Sequence, residues 1–309
     1  MKALRNMFLF TEKRMRENRM NIQPIEIQAN LSRTIRAIEA EAWMDMLDAA
    51  PPSVRKQLGI ETFRSDNACF LACRELSAVP FNRGFAVEPQ WSANDKEMAE
   101  GVRWLDRNAS KTWVIQVDEE GFNASSAALS RMGVIQKDSG WIKFFSGAVP
   151  HIVPNEPRIE IADGNRKASD FANVINAGYG FPTATFEWFK ALASRDRWTC
   201  YVAYADDEPC SAGAAFVGSA GAWFGVDATL VTARGKGLQS AVIARRLRDV
   251  RDKGAVIAMA ETGRPATVDS PLGTSFRNYQ RAGFEVQHYS ANFARDRSVP
   301  RGATPVFMM

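Results

Sequence analysis

The chain has 309 residues, 46% apolar and 24% charged, with a net charge of +4. That length suits about two domains of ~100–200 residues, the balance is that of a globular protein, and no apolar run approaches the ~18 residues of a membrane span. Cysteines stand at 69, 73, 200 and 210 and histidines at 151 and 288, with no Cys-x-x-Cys pair, which argues against a zinc site or a disulfide scaffold and fits a reducing, cytoplasmic setting. Residues 1–20 hold six Lys/Arg against two Asp/Glu, so the whole net charge lies there. The neutral remainder has no concentrated basic face for nucleic acid. The basic start lacks an apolar h-region and a small-residue cleavage site. It reads as a frayed extension over 1–22 rather than a helix lying on a membrane. No nucleic-acid or membrane partner is expected.

In chain order, Ile22 to Gln28 reads as a first strand. Asn30 or Ser32 then caps a helix to about Ala50, with Ile35, Ile38, Ala42 and Leu47 at helical spacing. Pro51-Pro52 ends it. Ala68–Leu76 and Phe81–Val87 suit strands. Asn94 caps a helix over Asp95–Arg107, Lys111–Val117 is a strand and Ala124–Met132 a short helix. Gly133–Phe145 reads as a strand pair around Asp138-Ser-Gly. Pro150, Pro154 and Pro157 mark a linker. Beyond it come a strand at Arg158–Ala162, helices around 165–177 and 185–194, and strands at Trp198–Ala205 and Cys210–Gly218. The turn Asp206-Asp207-Glu208-Pro209 joins these two strands in a hairpin.

The stretch from Gly221 to Gly254 is the chemically informative one. Trp223–Leu230 suits a strand, Arg234-Gly235-Lys236-Gly237 a loop, and apolar residues at 238, 241, 242, 247 and 250 a helix that Gly254 stops. A helix N-terminus presents unpaired N–H groups and the positive end of its dipole, and glycines before it let phosphates approach the main chain. Arg234 and Lys236 add charge there. An ordinary strand–turn–helix with a basic turn is the bland alternative. A strand (Ala255–Glu261), the helix of Ser275-Phe-Arg-Asn-Tyr279-Gln-Arg-Ala-Gly283-Phe284 and a last strand to about Phe293 follow.

Arg234, Gly237 and Gln239 take the places of the Arg/Gln-x-x-Gly-x-Gly/Ala loop of the GNAT superfamily of N-acetyltransferases. Tyr279 and Gly283-Phe284 take those of its later Tyr-helix and Gly-Phe. From Arg158 to Phe293 the chain resembles that superfamily; Gln239 departs from its final small residue. The resemblance implies acetyl-CoA as co-substrate and direct transfer to an amine, without a metal. It implies pantetheine beside Asp227, Ala228, Thr229 and Leu230, and the pyrophosphate at Arg234, Gly235, Lys236, Gly237, Leu238, Gln239 and Ser240. Ser275 and Asn278 are further cofactor candidates on the helix of Tyr279, which would protonate the thiolate. Asp227 and Glu261 are the two candidate bases. Neither a Ser-His-Asp nor a Cys-His set is legible, so no covalent acyl-enzyme is expected.

Ser130-Arg131-Met132-Gly133-Val134 echoes Gln280-Arg281-Ala282-Gly283-Phe284, and the order of elements before each echo agrees. The expectation is a duplication with an α/β (α+β) fold. It has two GNAT-like lobes, 23–150 and 151–297, each a mixed, mostly antiparallel twisted sheet flanked by helices, with an irregular tail over 298–309. The first lobe is the degenerate one. Its loop Glu88–Asn94 has no glycine, Arg or Lys, so it offers no phosphate cradle. The acceptor reads only as a small amine, and oligomeric state is not legible. Two alternatives stand: a non-catalytic acyl-CoA-binding or sensing module, and a two-lobed transferase with an aminoacyl-tRNA donor. The neutral body and the intact loop speak against the second.

Overall fold

The computed structural model describes residues 24–138, 140–147, 157–264 and 273–296. The 1–22 extension, most of the proline-bearing linker, most of the Gly263–Gly273 segment and the tail lie outside them. The first half runs α1 (Pro24–Asp48), α2 (Pro52–Leu58), β1 (Ile60–Arg64), β2 (Ala68–Cys73), β3 (Arg83–Ala86), α3 (Asp95–Asn108), β4 (Val114–Asp118), α4 (Phe122–Arg131), β5 (Val134–Asp138) and β6 (Trp141–Ser146). The second half runs β7 (Ile159–Ile161), α5 (Gly164–Tyr179), α6 (Phe186–Leu192), β8 (Trp198–Ala205), β9 (Glu208–Val217), β10 (Ala222–Thr229), α7 (Leu238–Asp252), β11 (Ala258–Gly263), α8 (Thr274–Arg281) and β12 (Glu285–Arg295).

The halves repeat one order: two helices, three strands, helix, strand, helix, strand. In each, the third and fourth strands of that series pair in parallel, β3 with β4 and β10 with β11. Strands β6 and β7 fall outside the repeat. All but one of the strands lie in the order β1-β2-β3-β4-β12-β6-β11-β10-β9-β8-β7, and β5 pairs β12. Most neighbours are antiparallel, as hairpins require. The β8–β9 hairpin turns through Asp206 and Asp207, at φ 52° and 63°. Those left-handed residues match the twist of the flanking strands.

Three expectations are corrected. The strand placed at Ile22–Gln28 is helix from Pro24 onward, because proline at a helix start loses no needed hydrogen bond and a short apolar run has no decisive period. Asn30 and Ser32 therefore lie inside α1 and do not cap it; the Asn30 carbonyl accepts from Thr34 Oγ1. The strands flanking Asp138-Ser-Gly exist but do not pair with each other. Residues Glu285–Tyr289 of β12 pair with β6, while its farther residues pair with β4 and β5. Helix α2 and strand β1 were not anticipated. The Asn94 cap is present: its side chain accepts from the Glu97 N–H.

Helix α1 crosses the joint between the halves. Its buried Ile35, Ile38, Trp43, Met46 and Leu47 share one apolar cluster with β2 and β3 of the first half and α5, α6, β8, β9 and β10 of the second. Trp43 meets Phe81 and Trp223 edge-on, each at 5.6 Å. Such a shared core packs the two halves closely against one another.

Candidate functional site

Strands β10 and β11 pair only over Ala222–Phe224 and Ala258–Ala260, although β10 runs on to Thr229 and β11 to Gly263. The strands part there. The gap opens into a cleft of about 760 Å³. Its walls are Asp227–Thr229 of β10, Thr262 and Gly263 of β11, Ala233, Arg234, Gly235 and Gly237 of the loop, the start of α7, and Ser275, Phe276, Asn278 and Arg281 of α8. Beyond Phe224, β10 has no strand partner on its β11 side among the described residues. An extended ligand can hydrogen-bond such an edge as an added strand.

The loop is exposed, and both its glycines are left-handed: Gly235 at φ 80° and Gly237 at φ 76°. Gly237 stands directly before the first turn of α7. A side-chain carbon on either glycine would meet no atom within 4 Å, so the constraint is conformational and the space beside the chain is open. The first bond back into the loop is from the Ala241 N–H to the Gly237 carbonyl. Helix geometry leaves the three preceding N–H groups, of 238, 239 and 240, facing outward for a ligand. Gln239 has a different task. Its amide oxygen accepts from Asn278 Nδ2 at 2.8 Å and its amide nitrogen donates to Ser275 Oγ at 3.1 Å, tying α7 to α8. The corresponding helix of the first half, α3, is capped by its own Asn94 and carries Asp95 and Glu97 in its first turn.

A bulge between Gly225 and Ala228 breaks the β9–β10 register. At its centre Val226 has φ 54°, a conformation that costs a β-branched residue about 1–3 kcal/mol and that surrounding packing must enforce. Bulges re-aim side chains, and here Asp227 reaches the cleft wall. Oδ1 lies 2.8 Å from Arg246 Nη1, and Oδ2 accepts from the Tyr279 hydroxyl at 2.5 Å. Arg246 is fully buried; Nη1 also donates to the Ala214 carbonyl at 2.9 Å. Gly213 leaves room for this group, since a side-chain carbon there would fall 2.5 Å from Asp227 Oδ1. Burial first, then the Asp227 carboxylate, push the Tyr279 hydroxyl well above its ordinary value, against a weaker pull from Arg246.

Glu261 faces the other way. Successive strand residues point to opposite faces, so Thr262 lines the cleft while Glu261 enters a buried ionic cluster under α1. It accepts from Trp43 Nε1 at 2.8 Å and from Arg83 Nη2 at 2.9 Å, and lies 3.4 Å from Lys143 Nζ. Lys143 also donates to Glu39. Burial alone would raise the Glu261 carboxyl, but Arg83 and Lys143 outweigh it and hold it at about 2. Burial pushes Glu39 up, with Lys143 opposing and the Glu261 charge adding.

Of the anticipated residues, Asp227, Ala228, Thr229, Arg234, Gly235, Gly237, Leu238, Gln239, Ser240, Ser275 and Asn278 line one cleft. Leu230, Lys236, Glu261 and Tyr279 do not. Tyr279, 2% exposed, stands behind Asp227. Gly178, Tyr179, Thr262 and Arg281 were missed. The Tyr179 ring, 49% exposed, stacks on Phe181 at 4.9 Å at the end of α5. The Thr262 hydroxyl is buried and has no hydrogen-bond partner among the described residues. Among those residues no group of three or more His, Cys, Asp or Glu could hold a metal.

No protein-family model matches the sequence, and no curated protein matches it. Solved structures do. A GCN5-related N-acetyltransferase from Kribbella flavida superposes with a TM-score of 0.54 at 13% identity, over 79% of this chain and 93% of that one. One from Sphaerobacter thermophilus gives 0.51 at 15%, over 74% and 80%. A tandem GNAT protein from the clavulanic acid biosynthesis pathway gives 0.51 at 13%, over 86% and 95%. At such identities the likeness is one of fold. The chain has the GNAT acetyltransferase fold in its tandem form.

Proposed function

We propose that the chain is an acetyl-CoA-dependent N-acetyltransferase acting on a small amine. One observation carries the reading: a cleft between parted parallel strands runs to a left-handed glycine loop at a helix N-terminus, in a chain of this fold. The residues suit coenzyme A. The open edge at 225–229 receives the pantetheine arm, and Arg234, Gly235, Gly237 and the first turn of α7 receive the pyrophosphate.

In the reaction the amine nitrogen attacks the acetyl carbon, the carbon–sulfur bond breaks, and the proton shed by nitrogen ends on sulfur. Asp227 is the one acidic side chain among the described residues lining the cleft. It receives the ammonium and takes its proton, directly or through water. Tyr279 acts through Asp227: its hydroxyl stays protonated across neutral pH and fixes the carboxylate, so it is a positioning residue rather than the direct proton donor to sulfur. Arg246 counters the charge of Asp227. Glu261, already paired with Arg83 and held at about 2, is a structural anion and not the base.

The test is turnover. Incubation with acetyl-CoA and a panel of primary amines should release free thiol in proportion to acetylated amine. Binding of coenzyme A without turnover on any amine would favour a binding module, and no binding at all would remove the reading.

A further inference from the structure

The first half holds a second, smaller cavity at the place equivalent to the large cleft. Strands β3 and β4 pair in parallel only over Arg83–Phe85 and Val114–Gln116. Past them lies a space of about 240 Å³ between Ala86, the segment Pro89–Ser92, Val117, Asp118 and α4. Ser125 of α4 lines it, at the position that Ser275 of α8 holds in the repeat. Coenzyme A does not suit this cavity, which is a third the size of the other and has no glycine loop. It has room for roughly eight waters at ~30 Å³ each, or for one small molecule.

Two side chains point to what it takes. Trp91 and Ser125 line the cavity, each is 1% exposed, and neither Trp91 Nε1 nor Ser125 Oγ has a hydrogen-bond partner among the described residues. An indole N–H only donates. Buried donors left unsatisfied are costly, so a native site that keeps two of them is shaped for an acceptor oxygen. Charge narrows the choice. Arg36 enters the wall, but its Nε donates to Asp118 at 3.1 Å and its Nη2 to Glu120 at 2.7 Å. That guanidinium is shared by two carboxylates, the Lys143 charge beyond Gln116 is paired with Glu39, and His288 Nε2 lies 3.3 Å from Asp118. A ligand carboxylate would add a third negative charge. Gln116 is committed elsewhere: its oxygen accepts from Arg83 and Lys143, and its nitrogen donates to Ser290 Oγ.

We infer that this cavity is a ligand site for a small uncharged or cationic molecule with a carbonyl or hydroxyl oxygen, an amide or an alcohol, held by Trp91 and Ser125. The inference does not depend on the acetyltransfer reading. The experiment follows the Trp91 indole resonance of the full ¹⁵N-labelled chain, assigned by its loss in Trp91→Phe, without acetyl-CoA. Acetamide and glycinamide should each shift it saturably, with half-saturation in the roughly millimolar range expected of ligands this small. Acetate, nearly the same shape but anionic, should bind at least about tenfold more weakly, a difference of ~1.4 kcal/mol. Ser125→Ala should weaken acetamide several-fold, and Ser125→Leu, which fills the space, should abolish the shift in a folded chain. No saturable shift with either amide would mean that the cavity holds water alone. Equal binding of acetate would overturn the ligand class, and an unchanged Ser125→Ala would overturn the assigned donor.

Discussion

At the scale of single residues, the arrangement around Asp227 divides labour between a carboxylate at the cleft wall and two buried partners that hold it. Asp227→Asn keeps the shape and removes the proposed proton acceptor. It should lower kcat/KM by about 10²–10⁴, the usual worth of a general base, with coenzyme A affinity unchanged by calorimetry. Tyr279→Phe removes one hydrogen bond to that carboxylate, worth about 1.5–3 kcal/mol for a charged acceptor. It should lower kcat by roughly ten- to a hundredfold, again without changing coenzyme A affinity. An equal loss in both variants would make Tyr279 a direct participant. Most of the cleft residues were readable because they sit in one contiguous stretch, Asp227 to Ser240, or on the later helix that carries Tyr279. Tyr179 and Thr262 were not. Tyr179 comes from the end of a helix 48 residues before Asp227, and Thr262 is defined only by which way β11 presents it. Arg246 hides in an amphipathic helix whose other arginines, 245, 248 and 251, are half-buried, and only its complete burial singles it out.

At the scale of elements, the proposed function makes the loop and the helix behind it one anion-binding unit with two separable parts. Gly237 supplies backbone geometry, and valine cannot adopt φ 76° without strain. Gly237→Val should abolish coenzyme A binding at any salt concentration while the circular dichroism stays native. Arg234 is an exposed charge on the same loop. Arg234→Ala should weaken binding by about 1–2 kcal/mol in low salt, and the loss should shrink in high salt as the charge is screened. Titration of both variants at two ionic strengths separates the two. The capped N-terminus of α3 predicts one coenzyme A per chain, and a calorimetric stoichiometry of two would show that the first half binds it as well. Helices and hairpins with strong periodicity or turn residues were legible in advance. Helix α1 was misread at its start because Pro24-Ile-Glu-Ile-Gln has too few residues to separate a period of 2 from one of 3.6. The pairing of β6 and β12 was beyond reach, since partner choice between distant strands leaves no local mark.

At the scale of the whole molecule, the two halves are joined by a shared core and by the cluster of Glu39, Glu261, Arg83 and Lys143. Glu261→Gln leaves two buried cations facing one carboxylate and should cost about 3–5 kcal/mol at pH 7. The sign of its pH dependence follows from the depressed value of Glu261. Its contribution is fully present above its unfolded value of about 4.3, and is lost as pH falls through about 2. The stability gap between parent and variant, from urea unfolding at pH 7, 4 and 3, should therefore narrow only at the acid end. The exchange of strands has a consequence for biosynthesis. A growing chain completes its N-terminal residues first, at about 5–20 residues per second. Yet β4 waits for Ser290–Phe293, and β6 for Glu285–Tyr289. Until then both present an open edge to any passing strand. Neither half can be finished on the ribosome ahead of the other. Nascent chains stalled before residue 285 should remain protease-sensitive throughout the first half and depend on chaperones for solubility. Native-like protease resistance of that half in such stalled chains would show that β12 is an addition to it rather than a part.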